Sequence, residues 1–167
     1  MAEVVKSTAE ITPEWLTEVL RERGLLSSSV KSVAHETIGA GVGLMATLAR
    51  LSLEYEGEEA LPATMVAKCA AQNENRAVAQ LLDFYNRETN FYNRIGSACP
   101  FRVPDSYYGA VNQDTYDFVL LLEDLGDVSP VDQLVGSTEE EAFAKVDNIA
   151  RLHAMYWDRT GDADHSW

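Results

Sequence analysis

The sequence predicts an α+β fold, a five-stranded antiparallel sheet with one packed helix, and three observations predict it. Residues 30–38, 47–55 and 64–70 read as three strands separated by short turns, an antiparallel meander. Residues 78–95 break that rhythm with apolar side chains at helical period. Residues 105–111 and 116–123 then return to strand character, around a turn at Asn112-Gln113-Asp114.

A helix is predicted first, over about residues 12–23. Thr12 supplies a capping hydroxyl, Pro13 occupies the first helical position, and Glu14 sits near the positive end. Trp15, Leu16, Val19 and Leu20 recur at helical spacing, and Gly24 stops the helix. The first strand runs into Gly39-Ala40-Gly41-Val42-Gly43. The second carries Leu48, Ala49, Leu51 and Leu53, and Pro62 precedes the third. In the helix at 78–95, Val78, Leu81, Leu82, Tyr85, Tyr92 and Ile95 form one stripe that also includes Glu88, and Gly96 ends it. Prolines at 100 and 104 keep the following loop extended. The fifth strand has a continuous apolar core, Phe118 to Leu122, which predicts burial on both faces. A last helix is expected from about Thr138 to Trp157, with acids in its first turn.

The chain has 167 residues, 46% hydrophobic and 24% charged, the balance of a globular domain. The net charge is −14, from 27 acidic and 13 basic side chains, which argues against nucleic acid or an anionic membrane as partner. No apolar run is long enough to span a bilayer, and Met1-Ala2-Glu3-Val4-Val5-Lys6 lacks a signal peptide's apolar core, so a cytoplasmic location is expected. Cys69 and Cys99 make no disulfide framework, and no Cys/His cluster has metal-ligand spacing.

Lys68 lies in an apolar strand, Ala63-Thr64-Met65-Val66-Ala67-Lys68-Cys69-Ala70-Ala71, where a lysine needs a partner or a route to water along its stem. Alternation puts it on the face of Val66 and Ala70, with Cys69 packed on the other. Glu88, on an apolar helical stripe, needs a partner too: Lys68, or Arg87 and Arg94 nearby, or solvent. The glycine turn, Gly39 to Gly43, either permits tight backbone geometry or forms a flap whose N–H groups cover phosphates. It is no Walker loop, because no Gly-Lys-Ser/Thr follows, and no dinucleotide fingerprint, because a strand follows rather than a helix. Strand, glycine turn, strand, lysine strand and glutamate helix is the order of a kinase small lobe. In that frame Glu123, Asp124 and Leu125 are a hinge whose backbone holds adenine. His153 reads as a core residue of the last helix, beside Phe143, Val146, Ala150 and Trp157.

The chain resembles the kinase-like phosphotransferases of the aminoglycoside/choline kinase superfamily, most closely the ecdysteroid-kinase-like branch. The glycine turn leading to Thr47-Leu48-Ala49-Arg50-Leu51, Val66-Ala67-Lys68, and Arg87-Glu88-Thr89-Asn90-Phe91-Tyr92 carry the resemblance. So does Leu121-Leu122-Glu123-Asp124-Leu125 joined to Ala150-Arg151-Leu152-His153-Ala154-Met155-Tyr156-Trp157. The resemblance implies a protein-kinase-like N-terminal lobe at 1–122, a hinge at 123–127 and the start of a C-terminal lobe at 128–167. It implies ATP with Mg²⁺ as cofactor and transfer of the γ-phosphoryl group to a hydroxyl of a small molecule. Lys68 would contact phosphates, Glu88 would pair with Lys68, the glycine turn would cover the nucleotide, and Glu123 to Leu125 would hold adenine.

The family's catalytic loop, His-x-Asp with an asparagine five residues after the aspartate, is expected downstream of the His-Ala-x-x-Trp helix, and its metal-binding aspartate later still. Asp162 and Asp164 do not fit that pattern. The expectation is a truncated large lobe, from a gene fragment or a natural short form, with no catalytic or metal-binding residue of its own. Non-catalytic nucleotide binding or regulation is the alternative, as is a helix–sheet interaction domain. The apolar surface of the last helix raises the expectation of self-association.

Overall fold

The computed structural model describes residues 2–39, 45–126, 135–159 and 161. Of the glycine turn, only Gly39 is among them, and Ala40, Gly41, Val42 and Gly43 lie outside the described residues, as do Asp127, Asp162 and Asp164. The fold is α+β: one five-stranded antiparallel sheet with helices on both faces.

Helix α1 spans Pro13–Glu22. The Thr12 side chain accepts from the Trp15 N–H at 3.2 Å. At the other end Gly24 takes φ +69, Leu25 N–H reaches Leu20 C=O at 2.9 Å, and Gly24 N–H reaches Arg21 C=O at 2.9 Å. That pair of bonds is a Schellman cap, which needs the left-handed residue that glycine supplies.

The strands are β1 Val30–Ile38, β2 Ala46–Tyr55, β3 Thr64–Ala70, β4 Ser106–Val111 and β5 Phe118–Glu123, in spatial order β1-β2-β3-β5-β4. All four pairings are antiparallel, so β1 to β3 form the expected meander. Lys68 pairs with Leu48 on β2 and with Leu120 on β5, and Val66 pairs with Arg50 and Leu122. Side chains at directly paired positions share a face. Fully buried Phe118, Val119, Leu120 and Leu121 bear out the two-sided burial expected of β5.

Each sheet face has its own core. On one, Leu16, Val19 and Leu20 of α1 meet Leu51, Met65, Ala67, Cys69 and Leu121. On the other, Ala46, Ala70, Phe118, Leu120 and Leu122 meet Ala79 and Tyr85 from the segment after β3. Burial of Cys69 pushes its thiol up to about 12, which suits the packing role read from its alternation.

The single helix expected at 78–95 is a correction. The segment forms α2 (Asn75–Leu81), α3 (Phe84–Asn90), a π-helical turn (Phe91–Ile95) and a 3-10 turn (Gly96–Ala98). Asp83 separates α2 from α3 in the left-handed region, φ 55, a conformation Asp tolerates better than most residues. Its carboxylate accepts from the Tyr116 hydroxyl at 2.5 Å and from Asn86 Nδ2 at 2.7 Å, which fixes the break to the end of the β4–β5 hairpin. The stripe changes with it. Leu81 is 83% exposed, and Val78 and Leu82 are exposed too, whereas Ala79, Tyr85 and Thr89 are buried.

Helix α4 spans Glu139–Met155 behind a complete capping box between Thr138 and Glu141. None of its residues is buried. Phe143 is 67% and Trp157 76% exposed, and Val146 and Ile149 are open as well. His153 is exposed, which corrects its reading as a core residue: nothing among the described residues covers this helix face. No helix among the described residues is long and apolar enough to cross a membrane.

Candidate functional site

Lys68 and Glu88 meet. Lys68 Nζ lies 2.6 Å from Glu88 Oε1, so of the partners open to Glu88 the fold selects the lysine. The side chains are 24% and 31% exposed, leaving both charges partly hydrated and within reach of a ligand. An ammonium carries three donors, so the bond to Glu88 is compatible with donation to a phosphate oxygen.

The pair borders a cleft of about 450 Å³ lined by Met45, Ala46, Lys68, Phe84, Tyr85, Arg87 and Glu88. Met45, which lines the cleft, is the second residue after Gly43 in the sequence. Gly39, at the upstream end, takes φ +65 as β1 closes. Glu123, Asp124 and Leu125 do not line this cleft. Glu123 ends β5 and Asp124 and Leu125 follow it; Leu122, just before them, pairs with Val66, which is two residues from Lys68 on the same face.

Three fastenings place Glu88. Tyr85, one helical turn earlier, donates its hydroxyl to Met45 C=O at 2.7 Å and accepts from Ala71 N–H at 3.2 Å. Its ring stacks on Phe118, centroids 4.2 Å apart, a contact that contributes about 0.5–1.5 kcal/mol beyond burial. Burial raises the Tyr85 phenol above the usual tyrosine range, so it stays a donor at neutral pH. Ahead of Glu88, Gln113 Nε2 donates to Asn86 Oδ1 at 2.8 Å. Beyond it, Asn93 Nδ2 donates to Gly109 C=O at 3.0 Å. The approach there is close: a Cβ on Gly109 would stand 2.8 Å from Leu120 Cδ2 and 3.2 Å from Asn93 Oδ1.

Arg76 anchors α2. Its Nη2 donates to Asp117 Oδ1 at 2.7 Å and to Thr115 C=O at 2.8 Å, and Thr115 Oγ1 donates to Asp117 Oδ2 at 2.7 Å. Burial alone would raise the Asp117 carboxyl, but the Thr115 hydroxyl and the Arg76 guanidinium outweigh it and hold it below the usual carboxylate range.

Glu123 and Asp124, expected to belong to a hinge, each form an ion pair that the sequence reading missed. Arg102 Nη2 lies 2.5 and 2.6 Å from the two Glu123 carboxylate oxygens, and Asp105 N–H donates to Oε2 at 3.0 Å. Arg102 holds the Glu123 carboxyl below its ordinary range. Arg50 Nε and Nη2 donate to the two Asp124 oxygens at 2.7 and 3.4 Å. A trace of the second pair was present in the sequence: Arg50, like Lys68, is a cation inside an apolar strand.

Among the described residues no group of three or more His, Cys, Asp or Glu side chains is placed to hold a metal ion. The chain matches no protein-family model, no curated protein and no solved structure.

Proposed function

We propose that this chain is the nucleotide-binding, protein-kinase-like small lobe of an ATP-dependent phosphotransferase acting on a hydroxyl of a small molecule. Residues 128–167 are then the start of its C-terminal lobe. One observation carries the reading: the Lys68–Glu88 ion pair lines a cleft together with Met45 and Ala46. In phosphoryl transfer the acceptor oxygen bonds to the γ-phosphorus as the bridging P–O bond breaks, ADP departs, and the hydroxyl proton passes to a base. Positioning and charge stabilisation dominate such reactions. Lys68 supplies charge at the phosphates, Glu88 holds its ammonium there, the glycine turn covers them, and the backbone of Glu123 to Leu125 bonds adenine. Mg²⁺ enters with the nucleotide.

A non-catalytic nucleotide-binding module is favoured by a separate observation. Glu88 is the only carboxylate among the described residues lining the cleft, and Lys68 already holds it. Calorimetry tests the shared part. ATP–Mg²⁺ binds the chain, and Lys68→Ala weakens ATP by about tenfold or more while adenosine loses little, because lysine acts on phosphates and the hinge on the base. Equal losses for both ligands make Lys68 a folding residue, and absence of nucleotide binding overturns the reading. Phosphoryl transfer by the purified chain would reject the non-catalytic module.

A further inference from the structure

A second cleft, of about 340 Å³, lies where the end of α1 meets the loop before β4, and it shares no lining residue with the cleft at Lys68. Ligand clefts span about 300–1,000 Å³, so this one is sized for a small molecule. Arg23 and Leu25 line it from the end of α1, where the Schellman cap at Gly24 fixes the chain. Val103, Pro104 and Asp105 line it from the loop. Tyr92 and Tyr107 also line it, and burial raises both phenols above the usual tyrosine range, so they stay neutral at physiological pH. Arg23 and Asp105 are therefore the charged groups of the cleft, and both are exposed. Neither has an ion-pair partner among the described residues. Arg102, on the same loop as Asp105, is held by Glu123. The Asp105 backbone is fastened to the end of β5: its N–H donates to Glu123 Oε2 at 3.0 Å, and its C=O accepts from the Glu123 N–H at 2.8 Å. The Asp105 carboxylate takes no part in those bonds.

We propose that this cleft binds a free amino acid, with its carboxylate on Arg23, its ammonium on Asp105 and an apolar side chain on Leu25, Val103 and Pro104. A guanidinium and a carboxylate that line one small cleft without pairing are complementary to a ligand that carries both charges. A simple anion would meet Asp105 and a simple cation would meet Arg23, each against a like charge. The net charge of −14 further opposes an anion. A zwitterion answers both groups. The guanidinium fork takes a carboxylate through two parallel N–H···O bonds, and the Asp105 oxygens accept from an ammonium. The apolar part of the lining removes a hydrocarbon side chain from water, which adds to affinity. The inference is independent of the nucleotide-binding reading, because the two clefts have no residue in common.

The test begins with the melting temperature of the full chain in the presence of each common L-amino acid. At least one with an apolar side chain is expected to raise it. Calorimetry then compares that amino acid with two analogues, the carboxylic acid that lacks its amino group and the amine that lacks its carboxylate. The amino acid is expected to bind about tenfold more tightly than either, since each analogue forfeits one charge-assisted contact. Arg23→Met should weaken the amino acid by about tenfold and leave the amine no weaker. Asp105→Asn should weaken it similarly and leave the carboxylic acid no weaker. Circular dichroism confirms that both variants fold, and Arg23→Gln replaces Arg23→Met if the latter does not. Failure of every amino acid to bind, an analogue that binds as tightly as the amino acid, or binding that ignores both substitutions overturns the inference. ATP–Mg²⁺ binding, measured on the same proteins, reports on the nucleotide reading alone.

Discussion

The phenol of Tyr85 holds two backbone groups at the margins of the sheet, Met45 C=O at the start of β2 and Ala71 N–H past the end of β3. Tyr85→Phe removes both bonds and leaves the two groups the longer one they make with each other, Ala71 N–H to Met45 C=O at 3.4 Å. A net hydrogen bond contributes about 0.5–1.5 kcal/mol, so this variant is expected to lower unfolding free energy by about that much in urea denaturation. The phenylalanine ring keeps the stacking on Phe118, so a loss near zero would show that the Ala71–Met45 bond suffices. The residues at this scale differ in how openly they announce themselves. Lys68 was legible because a cation in an apolar strand must be paired, and Glu88 because it shares a stripe with tyrosines. The hydroxyl of Tyr85 was not, since its ring alone accounts for its place on that stripe.

Among the elements, the strands were legible and the helical segment was not. β3 alternates and β5 is apolar throughout, and each pattern follows from the environment of its own two faces. The segment from 75 to 98 obeys a residue far away in sequence. Tyr116, itself at φ 60, presents its hydroxyl to Asp83 and stabilises a left-handed break there. Beyond that break the helical frame is rotated, which is why Leu81 faces water while Tyr85 is buried. No local period contains that information. The same junction titrates. The Asp117 carboxyl is held below its ordinary value by Thr115 and Arg76 despite burial. A depressed folded-state pKa gives stability that is present above the unfolded value, near pH 4, and is lost as pH falls through the folded one. Asp117→Asn is therefore expected to destabilise the protein at neutral pH and to flatten the acid limb of its stability curve. An unchanged limb in acid titration followed by fluorescence would show that Asp117 plays no part in it.

For the whole molecule, surface charge and exposed apolar area act in opposite directions. Helix α4 is formed locally, by the Thr138–Glu141 capping box and an Asp147–Arg151 pair at 2.7 Å. Its Phe143, Val146 and Ile149 nevertheless stand open, with Trp157 just beyond. Apolar patches of this kind favour association, and a net charge of −14 opposes it. Screening weakens the repulsion and leaves the apolar attraction, so light scattering is expected to show the mean mass rising as salt increases. Phe143→Glu/Ile149→Lys should remove that rise. A monomer at every salt concentration would mean that α4 finds its cover elsewhere.

The contact of Gly109 with Leu120 bears on how such a sequence can diverge. A single methyl group at position 109 would enter space that a fully buried leucine holds on one side and Asn93 on the other. Leu120 also neighbours Lys68 across the ladder, so relief by moving the leucine would disturb the strand that presents the lysine. A larger residue at 109 is expected to be tolerated better where the side chain at 120 is smaller. Related chains should therefore change these two positions as a couple, with volume gained at one surrendered at the other.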